Sequence, residues 1–163
     1  MNRSLRLVAA LGMLAVPSLA RAQAITGSIT ATADIATVFT FGLPSALNFG
    51  SVTPNTAASA SGYIPLSRNV GVIYSLPDGV ATGKLTGPGG TITPAYSCGV
   101  GSTNATIVSA FSTCAGAGNV LTLPTPTTLV NEFVIFSGSL TAAQTNTVPG
   151  TYTGTIRVTA TPN

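Results

Sequence analysis

The chain has 163 residues, of which six are Lys or Arg, three are Asp or Glu, and none is His. This excludes imidazole general bases, Ser-His-Asp arrangements and histidine-ligated metals, and leaves no basic cluster to neutralise nucleic-acid phosphates. An apolar fraction of 45% with regular alternation points to a folded chain rather than a disordered one.

In chain order, the first element is a leader. Met1-Asn2-Arg3-Ser4-Leu5-Arg6 carries two arginines and no acid, and the apolar run Leu7–Val16 follows. Small residues at Ala20, Ala22 and Ala24 then satisfy the small-x-small cleavage rule, so residues 1–22 read as a secretory signal peptide cut after Ala22 or Ala24. The apolar run is too short to span a bilayer. No later stretch is longer, and the sequence predicts an exported chain with no transmembrane segment. Without the leader, Arg68, Lys84 and Arg157 stand against Asp34, Asp78 and Glu132, and three minus three leaves a net charge of zero. So little charge favours association.

Residues 23–35 form an N-terminal extension. Within it Ile25-Thr26-Gly27-Ser28-Ile29-Thr30-Ala31-Thr32-Ala33 alternates apolar or small residues with hydroxyls, the pattern of a strand with one buried face. Whether its own domain or a neighbour buries that face is left open by the alternation.

Residues 36–163 show no sustained helical periodicity, and the fold class expected is all-β, an antiparallel β-sandwich. The predicted strands are Gly27–Phe41, Ala46–Val52, Tyr63–Leu66, Asn69–Leu76, Ala81–Thr86, Thr91–Tyr96, Ala105–Phe111, Val120–Leu123, Leu129–Leu140 and Tyr152–Ala160. Turn formers separate them, including Pro54-Asn55, Pro77-Asp78-Gly79, Gly87-Pro88-Gly89-Gly90, Pro124-Thr125-Pro126 and Pro149-Gly150. In the last strand Tyr152, Gly154, Ile156, Val158 and Ala160 share one face.

Two cysteines in an exported chain predict a Cys98–Cys114 disulfide; with no histidine they would make half a zinc site at best. The three carboxylates each have an ordinary local role. Asp78 lies in a turn, Asp34 interrupts a strand edge and Glu132 belongs to the alternating run Asn131–Phe136, so no paired general acid and base is expected. The Gly87–Gly90 stretch lacks phosphate-loop spacing and its lysine. No catalytic, cofactor-binding or metal residue is predicted, and the chain is read as a non-enzyme. Asn104-Ala105-Thr106 is a formal glycosylation sequon.

The segment Ala24–Ala31, then Leu47-Asn48-Phe49-Gly50-Ser51-Val52, and finally Pro149-Gly150-Thr151-Tyr152-Thr153-Gly154-Thr155-Ile156-Arg157-Val158 together resemble the spore coat protein U domain family. That family includes pilin subunits of archaic chaperone–usher pili. The resemblance covers the two chain ends and implies an Ig-like, Greek-key sandwich lacking one edge strand, which the next subunit's extension supplies. On that basis Ile25, Gly27, Ile29, Ala31 and Ala33 would form the inward face of a donor strand. The implied partners are other copies or related subunits, a periplasmic chaperone and an outer-membrane usher. The implied place is the periplasm in transit and then the cell surface. Family pilins commonly carry a cysteine soon after the donor segment, and Ile35–Phe41 has none. The end motifs are similar also to secreted bacterial Ig-like domains, so a stand-alone surface, matrix or coat protein is the alternative. A carbohydrate-binding adhesin is a weaker one, because tryptophan is absent and there is no room for a separate binding domain.

Overall fold

The structure, a computed structural model, describes residues 30–78, 83–114 and 119–163. Residues Ile35–Asn163 form one compact unit. Its elements are β1 (Phe39–Phe41), β2 (Ala58–Arg68), β3 (Val72–Ser75), β4 (Leu85–Gly87), β5 (Gly90–Ile92), β6 (Ala95–Gly101), β7 (Ser109–Ala110), β8 (Val120–Leu123), β9 (Val130–Leu140), a single helical turn α1 (Ala142–Thr145), and β10 (Thr159–Pro162). All pairings are antiparallel. One sheet has the order β1-β2-β9-β6-β7, a second β10-β3-β8, and β4-β5 is a separate hairpin.

Alternation along the strands explains why the two larger sheets share one core. Leu66 of β2, Val134 and Phe136 of β9, and Cys98 and Val100 of β6 face Val72 and Tyr74 of β3, and all are buried. Strand β2 runs opposite β9 from Ala58↔Leu140 to Arg68↔Val130, which fixes these faces, since a slip of one residue would turn every apolar side chain outward.

One polar group sits inside this apolar frame. Arg68 is 4% exposed; its guanidinium pairs with Glu132 and donates to the carbonyls of Val70 (2.7 Å) and Pro124 (2.8 Å). The Tyr74 hydroxyl donates to Glu132 Oε1 at 3.3 Å, so the cluster ties β2 and β9 of one sheet to β3 of the other. Burial pushes the Tyr74 hydroxyl well above its usual range, and the neighbouring Glu132 carboxylate adds to the rise.

The disulfide joins Cys98 of β6 to Cys114 in the loop after β7. Buried Asn119 holds that loop by accepting from Ser112 Oγ (2.7 Å) and donating to Thr113 Oγ1 (2.5 Å). The bridge joins positions separated by 16 in sequence, and the chain-entropy model values a loop of that size at about 3 kcal/mol. Replacing both cysteines with serine should lower stability in urea by about that amount. The far-UV signal of the sandwich should survive, because the bridge is local. Oxidised protein should titrate no thiol.

Several predicted boundaries are corrected. Strand β3 is shorter than Asn69–Leu76, β2 is longer than Tyr63–Leu66, and β9 starts one residue after Leu129. Of Ala81–Thr86, Leu85 and Thr86 are in β4 and residues 81–82 lie outside the described residues. Thr91–Tyr96 is split between β5 and β6. Ala105–Phe111 contributes only β7, since residues 102–108 form a loop. Of Gly27–Phe41, residues 30–38 are in no strand and 27–29 lie outside the described residues. Two further differences, at Ala46–Val52 and Tyr152–Ala160, define the candidate site.

Candidate functional site

After β1 the chain bulges. Phe41 lies opposite Leu66 and Ser45 opposite Tyr63, so four steps on one strand answer three on the other. Pro65 sits at this point in β2. It has no N–H to donate, and its carbonyl accepts from Gly42 N–H at 2.8 Å. Beyond the bulge Ser45 exchanges two backbone hydrogen bonds with Tyr63 (2.8 and 3.3 Å). Residues 45–47 pass so close to β2 that only glycine fits at position 62, where a Cβ would lie 2.7 Å from the Leu47 nitrogen.

From there the ladder stops. Leu47, Phe49 and Val52 are half-buried, yet Ala46–Val52 forms no strand. Among the described residues its sole backbone hydrogen bond is from Gly50 N–H to Asn48 Oδ1, at 2.8 Å.

The second flank behaves alike. Tyr152, Ile156 and Val158 are half-buried on the predicted face, but β10 begins only at Thr159. Along one edge Thr153 exchanges hydrogen bonds with Thr86 of β4 (2.8 and 3.1 Å), and the Thr155 carbonyl accepts from Gly83 N–H (3.0 Å). Backbone groups of alternate residues in an extended chain point to opposite edges. Those of Tyr152, Gly154, Ile156 and Val158 therefore face the other way, where none has a backbone partner among the described residues.

Between the flanks lie two adjoining hollows of about 760 and 310 Å³. They share Leu47, Leu85 and Gly154, so they form one continuous groove. The larger hollow lies between residues 47–54 and 147–154, with Ile92 and Leu140 among its walls. The smaller reaches Tyr96 and Phe136 between residues 44–47 and 154–156. Tyr96 is fixed there by donating its hydroxyl to the Gly83 carbonyl at 2.7 Å, and burial raises its pKa. The site is thus a trough with a mixed lining, apolar on Leu47, Phe49, Leu85, Ile92 and Leu140 and polar on Asn48, Ser51 and Thr147. It is bordered on each side by main-chain groups that have no backbone partner among the described residues.

Of the predicted donor face, Ala31 and Ala33 are exposed and in no strand; Ile25, Gly27 and Ile29 lie outside the described residues. The three carboxylates occupy separate settings. Asp34 is exposed and Glu132 is in the Arg68 cluster. Asp78 pairs with Arg157, whose hydrogen bonds hold the carboxyl below the usual carboxylate range. Among the described residues no three His, Cys, Asp or Glu side chains form a group able to hold a metal, and no helix is long and apolar enough to cross a membrane. The groove's flanks were legible as alternating stretches, but their shared role shows only when both lose their ladders.

The architecture defines an all-β protein built from antiparallel sheets around one core, with a groove at the sheet edges whose flanks are unpaired among the described residues. No family model, curated protein or solved structure matches the chain.

Proposed function

We propose that the chain is a structural subunit of an exported surface filament, assembled when the N-terminal strand of one copy fills the groove of another. The observation that carries this reading is the groove bordered by two backbone edges whose hydrogen-bonding groups are unpaired among the described residues. A strand laid between residues 44–54 and 147–156 would satisfy both edges and cover the half-buried apolar side chains. That is β-augmentation, in which main-chain hydrogen bonds give affinity and alternate side chains fill pockets. An exposed edge left unpaired is a template for another chain, so a protein built this way needs its occupant. The occupant is residues 25–33 of a second copy or related subunit, with Ile25, Gly27, Ile29, Ala31 and Ala33 turned inward. Net charge near zero in the exported chain removes the repulsion that would oppose head-to-tail growth. The Ig-like sandwich, the periplasmic chaperone and usher, and the cell-surface location belong to this reading through the resemblance at the chain ends. The subunit's role is mechanical, with no catalysis.

Deleting Ile25–Ala33 tests the proposal. The shortened chain keeps a groove but has nothing to donate, so it should join the end of a growing polymer and stop it. In mixtures with the intact chain, mean filament length seen by electron microscopy should fall as the shortened chain increases. Unchanged filament length would mean that the segment belongs to its own sheet, and the stand-alone exported domain would be the better description.

A further inference from the structure

We infer that the donated strand runs on to Ile35, and that this side chain fills the last position of the neighbour's groove. The inference rests on the strand-donation reading above and adds to it the residue that ends the strand.

Ile35 is a large apolar residue that is 87% exposed on its own domain. It continues the phase of 25, 27, 29, 31 and 33 without a break, while Asp34 falls on the opposite face and remains in water. The domain takes hold of the chain only at the next residue. The Asn69 side chain donates to the Ala36 carbonyl (2.9 Å) and accepts from Val38 N–H (2.8 Å), and Asn69 N–H donates to the Val38 carbonyl (3.1 Å). Residues 30–35 are exposed and in no strand, and Ile35 is the last residue before the clamp. Ending the strand at Ala33 would leave an isoleucine in water between two domains.

Peptides of residues 25–33 and 25–36, and the longer peptide carrying Ile35→Ser, can be titrated onto the full mature chain carrying Ile29→Asp. That chain cannot donate its own strand, and its groove stays open. The longer peptide should bind about tenfold or more tightly than the shorter, and Ile35→Ser should remove the gain. Equal affinity of the two natural peptides would overturn the role of Ile35 and leave strand donation standing. Binding of neither would overturn both. In the full chain, Ile35→Ser should release subunits from filaments faster with the domain's urea midpoint unchanged; an unchanged release rate would count against the inference.

Discussion

Replacing Glu132 with alanine should lower the unfolding free energy by about 3–5 kcal/mol, the largest stability effect expected from any single surface or core charge in this chain. The loss comes from what remains. Arg68 stays buried between the sheets with two backbone carbonyls but no counter-charge, and the buried Tyr74 hydroxyl loses its acceptor. Leaving one member of such a pair alone costs more than the pair itself contributes, because both desolvation costs were already met by their mutual attraction. The double replacement Arg68→Met with Glu132→Leu should therefore recover most of the loss. Urea unfolding of the three proteins checks this. A Glu132→Ala loss below about 1 kcal/mol would place the pair in the range of solvent-screened surface ion pairs, and the inter-sheet tie would have to be abandoned.

The largest functional effect is expected at Ile29. Changing it to aspartate should abolish polymer extension, since an unpaired carboxylate buried against the apolar side chains of the neighbour's groove costs several kcal/mol. The same change at Thr30, on the opposite face of the strand, should leave assembly nearly intact. Because the segment precedes the Asn69 clamp on Ala36 and Val38, neither substitution should move the urea midpoint of the domain. Sedimentation of the two variants distinguishes the faces. If Thr30→Asp stops assembly as completely as Ile29→Asp, the strand is not buried on one side only.

Much of the framework was legible in the sequence because alternation reports a buried face directly. The run Leu129–Leu140 became β9 almost unchanged, and Val120–Leu123 became β8. The Cys98–Cys114 bridge followed from an even cysteine count in an exported chain. The groove could not be read in the same way. Ala46–Val52 and Tyr152–Val158 carry strand-like alternation, and their apolar side chains do turn inward. A strand also needs a backbone partner, and period-two patterning is silent about where that partner comes from. The bulge at Gly42–Pro44, the tight passage over Gly62 and the turn of the last flank toward Thr86 withhold it from both. Arg68 and Glu132 were hidden for a different reason. Lying 64 residues apart, they meet through the β2–β9 register, which no local pattern encodes.

The most direct measurement places a photo-crosslinking amino acid at position 29 and assembles filaments from equal parts of isotopically heavy and light chains. Strand donation between copies predicts crosslinks from position 29 to residues 44–54 or 147–156, with mixed-label pairs as frequent as same-label pairs. Crosslinks to those residues found only within same-label pairs would show that each chain fills its own groove, and would contradict assembly by donation.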